Sequence, residues 1–255
     1  MSEPKVVVLK FGSSVLRTDE DLPAAVNEIY EWWLQDYRVV AVVSAFGNTT
    51  DQLTQCAYSV CTEPDPNLLA ALLATGETAS SALLGLALRQ AGIPATVLNA
   101  EQAGLVTLGS VLDAELIGLE KPKLLAALQK AVVVLPGFVG RADGETTLLG
   151  RGGSDLTALF VAHQLDGQCI LVKDVDGLYT SDPNDETGTN ATRFVEVTYD
   201  TARRVGGSVV QVKAIDFAER HQLTFAVSSI GADVSTKVGP CHDCLEIVEE
   251  EECAA

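Results

Sequence analysis

The stretch Leu148-Leu149-Gly150-Arg151-Gly152-Gly153-Ser154-Asp155-Leu156-Thr157 sets three glycines, an arginine and an aspartate between an apolar run and a helical one. Glycines let a backbone approach a ligand closely, and a new helix presents unpaired N–H groups to an anion. Arg151 offers a two-pronged fork that fits a carboxylate. Asp155 falls in the first turn of the helix predicted over 154–165, where a carboxylate favours the helix dipole by about 0.3–1 kcal/mol. That bland role leaves the neighbouring arginine and glycines unexplained.

Outward from this turn, strands alternate with helices. The pattern predicts strands over 5–11, 38–44, 95–98, 131–135, 169–173 and 223–227, the last as a closing strand. Helices are predicted over 21–35, 68–88, 122–129, 154–165, 199–205 and 209–219. Short apolar strands separated by helices are the signature of a parallel sheet covered on both faces. The expected fold is therefore α/β, a three-layer αβα sandwich with an open, mainly parallel sheet.

A chain of 255 residues, 47% hydrophobic and 20% charged, can bury one large core or two closely joined lobes. A formal charge of −18, from 17 basic and 35 acidic residues, argues against nucleic acid or an anionic membrane as the main partner. It does not argue against a small anion held by a local cluster of Lys, Arg and backbone N–H groups. The chain runs from Met1 straight into a strand, with no signal-peptide layout and no run of about 18 apolar residues. A soluble cytoplasmic protein is expected. Of six cysteines, Cys241 and Cys244 form a C-x-x-C pair around His242, too few ligands for a zinc site and read as thiols on a tail; Cys169 reads as core. Residues 241–255 are expected to form an acidic, solvated tail.

Three more turns follow apolar strands, where open α/β sheets place ligands. Lys10-Phe11-Gly12-Ser13-Ser14 supplies a phosphate-reaching ammonium and a tight turn, although any strand-to-helix turn can carry Gly and Ser. Ser44 directly follows the second strand, with Gly47 and Thr49, Thr50 and Asp51 explained by the turn and the next helix cap. Lys173-Asp174-Val175-Asp176-Gly177-Leu178-Tyr179-Thr180-Ser181-Asp182-Pro183 offers carboxylates for a metal or ribose and a tyrosine for a base.

Taken in order, these segments resemble the amino acid kinase family, and most closely aspartokinase catalytic domains. The resemblance spans about residues 5–238. It rests on Lys10 to Ser14, on the run from Val42 through Leu53, on Gly76-Glu77, on Gly137-Phe138-Val139-Gly140, on the run from Thr146 through Ala158, and on the run from Asp174 through Pro183. It implies ATP and Mg2+ as cofactors, phosphoryl transfer to an amino-acid carboxylate such as that of L-aspartate, and a homodimer. It also implies an amino-acid-binding lobe over about 1–150 and a nucleotide lobe over about 151–240. Carried onto this chain, Lys10 and Asp155 are the catalytic residues, with Gly12 and Ser13 in the loop around the phosphoryl group. Ser44, Glu77, Arg151 and Ser154 position the amino acid, with Arg151 on its carboxylate and Glu77 near its ammonium. Lys173, Asp174, Tyr179 and Asp182 line the ATP site.

Three departures shape the expectation. The opening Lys10-Phe11-Gly12-Ser13-Ser14 is closer to glutamate 5-kinases than to the K-F-G-G-T-S of aspartokinases, which keeps glutamate open as an acceptor. Ser208 stands where the resembled family has a lysine near the ATP phosphates, so Lys173, Lys213 or Lys237 would have to supply that charge in space; otherwise a non-catalytic nucleotide or amino-acid binder remains open. The sequence given stops where aspartokinases continue into ACT regulatory domains, so feedback inhibition through such domains is not expected of it.

Overall fold

The computed structural model describes residues 5–183, 191–207 and 209–246. The first half contains β1 (Val6–Phe11), α1 (Leu22–Leu34), β2 (Arg38–Val43), α2 (Thr49–Val60), α3 (Pro66–Gln90), β3 (Ala95–Val97), α4 (Ala100–Ala103), β4 (Val106–Ser110), β5 (Asp113–Gly118) and α5 (Lys121–Leu128). The second contains β6 (Val132–Pro136), β7 (Val139–Ala142), β8 (Glu145–Leu148), α6 (Gly153–Leu165), β9 (Gln168–Lys173), β10 (Phe194–Val197), α7 (Tyr199–Val205), α8 (Val212–Arg220), β11 (Phe225–Ser229), β12 (Thr236–Val238) and β13 (Cys244–Leu245).

Nine strands form one sheet in the order β13-β10-β12-β11-β9-β1-β2-β6-β3, parallel from β11 to β3. β12 is antiparallel to β11, and β13 to β10. The central strands are valine-rich because both faces are buried, and alternate residues of β1 enter opposite cores. Val6 and Val8 join the core that contains α6, α5 and α8. Val7, Leu9 and Phe11 join the core that contains α1 and the end of α3. The α/β sandwich with its mainly parallel sheet is as the alternation of elements implied. α3 is long and apolar enough by composition to cross a membrane, but Leu69, Leu73, Leu84 and Leu88 on it are buried in the two cores.

Several readings are corrected. The strand expected over 223–227 is β11, which lies inside the sheet between β9 and β12 rather than closing it. The helix expected from 209 begins at Val212, because Val209 and Val210 fold back in a turn on the Gly206 carbonyl. A second sheet, β5-β4-β7-β8, was not foreseen. Its β7–β8 hairpin turns on Asp143 and Gly144, both at positive φ, a two-residue signal that the sequence does contain. The expected tail is not wholly free of the fold, since Cys244–Leu245 pairs with β10 at the sheet edge. Cys241 donates its Sγ–H to the Val197 carbonyl at 3.0 Å, and the rest of the acidic run, with Cys253, lies outside the described residues.

Candidate active site

Side chains alternate along a strand, so each strand that sends residues toward α6 also aims one residue past its own end on that side. On β1 the α6-facing row is Val6, Val8, Lys10; on β9 it is Cys169, Leu171, Lys173; on β2 it is Val40, Val42, then Ser44. β6 continues the row with Val133, Leu135 and Gly137. A side chain at Gly137 would meet Ser154 Cβ at 2.5 Å, so only glycine lets the start of α6 settle over the strand ends. Periodicity and register together therefore bring Lys173, Lys10, Ser44 and Ser154 to one place from four separate stretches of sequence.

Asp155, in the first turn of α6, binds both lysines. Lys10 Nζ lies 2.7 Å from Asp155 Oδ1, and Lys173 Nζ lies 2.9 Å from Oδ2 and 3.1 Å from Oδ1. All three are buried, with exposures of 5%, 3% and 8% for Lys10, Asp155 and Lys173. Burial alone would push the Asp155 carboxyl up, but the two ammoniums outweigh it and hold it below its ordinary value. Burial, reinforced by Lys10, brings the Lys173 ammonium down to about 8 against the opposing pull of Asp155. Two cations around one carboxylate leave a positive charge uncompensated in a chain of formal charge −18, and a cleft focuses that field on an anion.

The N-terminus of α6 adds to this field. Asp65, Asn99 and Thr198 cap α3, α4 and α7 with side-chain hydrogen bonds, whereas Gly152 at the start of α6 supplies none. Ser44 Oγ donates to Ser154 Oγ at 2.9 Å beside it.

These groups open onto a cavity of about 1010 Å3. One set of lining residues is Lys10, Gly12, Ser13, Ser44, Ser154, Asp155 and Lys173; a second, on the segment after β9, is Asp174, Tyr179 and Asp182. Ser14 bridges the two by donating to Asp174 Oδ1 at 3.1 Å. Tyr179 donates to Asp176 Oδ1 at 2.5 Å; partial burial and that carboxylate push its hydroxyl up to about 12. Sequence reasoning missed Leu178, Phe194, Val205 and Val209, which give the cavity an apolar wall, and Arg204 and Gln211, which give it polar ones. It also missed Thr236, whose buried hydroxyl accepts from Leu178 N–H at 2.8 Å and donates to the Phe194 carbonyl at 2.5 Å, tying the wall together.

Two expected residues stay outside the lining. Arg151 is exposed, next to the lining residue Gly152, and makes no ion pair among the described residues. Glu77, on α3, is 3% exposed, the backbone amide of Ala45 bonds it, and its Oε2 has no hydrogen-bond partner among the described residues. Burial pushes its carboxyl up to about 8, with the Ala45 amide and Lys10 pulling the other way. Of the lysines weighed against Ser208, Lys213 is held by Asp113 and the Leu149 carbonyl, both at 2.6 Å, and Lys237 by Glu196 at 3.0 Å. Only Lys173 of the three lines the cavity; Ser208 itself lies outside the described residues.

The model of the amino acid kinase family matches residues 5–227. An aspartokinase of Mycobacterium tuberculosis is 34% identical over 235 residues, covering 89% of this chain and 55% of that protein. An aspartate kinase structure from Synechocystis matches with a TM-score of 0.79 at 31% identity, over 95% of this chain and 42% of that one. A UMP kinase structure from Bacillus anthracis, 17% identical with a TM-score of 0.66, covers 96% of this chain and 99% of its own and shares the fold alone. The chain thus spans about half the length of the aspartokinases it matches.

Proposed function

The chain belongs to the amino acid kinase family, and on that premise we propose that it transfers the γ-phosphoryl group of ATP to the side-chain carboxylate of L-aspartate, giving 4-phospho-L-aspartate. The observation that carries the proposal is the Lys10–Asp155–Lys173 cluster at the uncapped start of α6, opening into a cavity large enough for a nucleotide. The similarity to aspartokinases favours aspartate among carboxylates.

In this reading the adenosine end of ATP lies between the wall of Leu178, Phe194, Val205 and Val209 and the loop bearing Tyr179 and Asp182. The phosphates run toward Gly12, Ser13 and the lysines. An acceptor carboxylate oxygen attacks the γ-phosphorus, and the bond to the β–γ bridging oxygen breaks with its electron pair leaving on ADP. A carboxylate is ionised at neutral pH, so no strong base is needed, and the cluster serves alignment and charge. Lys10 neutralises the moving phosphoryl group, while Asp155 fixes Lys10 in place. Ser44 and Ser154 orient the acceptor, Arg151 turns onto its α-carboxylate, and the unpartnered oxygen of Glu77 accepts from its ammonium.

Mg2+ takes most of its ligands from phosphates and water and needs one or two carboxylates. Asp174 and Asp182, both lining the cavity, fit that demand, while the described residues hold no metal-binding group of three or more His, Cys, Asp or Glu. When bound, the ion supplies further charge neutralisation on the phosphates. The split into an acceptor lobe over about 1–150 and a nucleotide lobe over about 151–240 belongs to the same proposal, as does a homodimer, for which the exposed Val106, Leu108 and Ile117 of β4 and β5 offer an apolar face.

The test is a hydroxylamine trap with Mg-ATP and a panel of L-aspartate, L-glutamate and N-acetyl-L-glutamate. An aspartate-dependent hydroxamate is expected. A product from glutamate alone would transfer the assignment to the acceptor suggested by Lys10 to Ser14, and silence with ATP still bound would leave a nucleotide-binding regulator.

A further inference from the structure

The two lysines around Asp155 are not equivalent. Lys10 meets one carboxylate oxygen, whereas Lys173 meets both, and Lys173 is the last residue of β9, directly before the loop that begins the nucleotide side of the cavity. We propose that Lys173 is a catalytic residue, its ammonium contacting the γ-phosphoryl group together with Lys10, with Asp155 holding the two like charges side by side. The inference rests on the reading that a nucleoside triphosphate fills this cavity.

Packing does not call for a lysine at this place. Other strand ends of the same sheet are filled by Ser44 after β2 and Gly137 after β6, and the β11 residue paired with Lys173 is Ser229, so a small side chain closes a strand end here. A second buried ammonium beside Lys10 carries a desolvation cost and a repulsion that one carboxylate only partly offsets. An ammonium has three donors. Asp155 takes Lys173 at 2.9 and 3.1 Å, and the group still faces the cavity. In the transfer the P–O bond to the bridging oxygen breaks toward ADP as the acceptor oxygen bonds to phosphorus, and no proton needs to move. Charge is what the residue contributes.

The experiment compares binding of ADP and of a non-hydrolysable ATP analogue with Mg2+, alongside turnover, in the full chain. The unsubstituted protein is expected to prefer the triphosphate by about tenfold. Lys173→Met should remove most of that preference while changing ADP affinity less than about threefold, and should lower kcat by about a hundredfold or more, far beyond its effect on KM. Lys173→Arg should recover part of kcat and part of the triphosphate preference. Retention of the triphosphate preference in Lys173→Met, with kcat within about fivefold, would overturn the proposal and leave a structural counter-ion. Should Lys173→Met fail to fold by circular dichroism, Lys173→Gln is measured in the same way, and a triphosphate preference retained there with kcat within about fivefold rejects the role. The nucleotide measurements need no acceptor, so a panel in which no carboxylate reacts would defeat the proposed reaction and still leave Lys173 judged on the triphosphate.

Discussion

At the centre of the cavity, Lys10, Asp155 and Lys173 are nearly buried and bound to one another, while on its flanks Arg151, Asp174 and Asp182 are exposed. The centre hangs on the ends of rigid central strands and on the start of a helix that is itself almost wholly buried. The flanks hang on turns. A charge cluster has to be held in a fixed geometry before the substrate arrives if it is to act on the transition state. Groups that recognise a substrate can instead close around it, which is how Arg151 beside the cavity and Glu77 behind it fit the proposed function.

The largest effect expected from this contrast is at the centre. Asp155→Asn leaves two buried ammoniums uncompensated, which should cost about 3–5 kcal/mol of folding stability and reduce kcat by about a thousandfold. Denaturant unfolding and turnover check the two separately, and a fully stable variant with normal turnover would dissolve the distinction between centre and flank.

Next comes Glu77. Its carboxyl titrates at about 8 instead of 4.5, so between those values the unfolded chain ionises while the folded one stays protonated. Stability from this group is therefore fully present below pH 4.5 and is lost as pH rises to about 8. Glu77→Gln should flatten that slope in thermal melts without ligand. The same variant should raise the amino-acid KM about tenfold or more, for loss of about 1–3 kcal/mol of charged hydrogen bonding. Binding of the amino acid to the unsubstituted protein at pH 7 should release a proton, seen as a buffer-dependent heat in calorimetry and absent in Glu77→Gln.

A smaller effect is expected at Arg151→Ala: about fivefold to tenfold in amino-acid KM, by the loss of one solvent-exposed fork, with kcat and melting temperature nearly unchanged. Smallest is Glu246→Gln at the sheet edge. Glu246 Oε1 accepts from the buried Arg193 at 2.8 Å, and its own side chain is half exposed. The variant should cost about 1 kcal/mol, a shift of about 2–4 °C in melting temperature, without touching turnover.

Much of this was legible in the sequence because local rules govern it. Apolar runs ending in Lys10, Ser44 and Lys173 mark buried strands whose ends line the cavity, and the glycines around Arg151 mark a turn into a helix. The antiparallel second sheet was harder: the outward faces of β4 and β5 carry Val106, Leu108 and Ile117 next to polar residues, so neither a clean apolar–polar alternation nor a continuous apolar run stands out. The Asp143-Gly144 turn was the available signal. Thr236 and Arg204 were not legible at all, since nothing local tells a buried threonine or a cavity-facing arginine from any other.

By itself the sequence determined the α/β alternation, the family resemblance and the residue types gathered at the strand ends, because side-chain periodicity and turn chemistry act over a few residues. Tertiary structure alone decided that Lys173, rather than Lys213 or Lys237, shares Asp155 with Lys10. That choice depends on the register of β1 against β9 and on how closely α6 approaches Gly137, contacts between segments far apart in the chain whose distances no local pattern fixes.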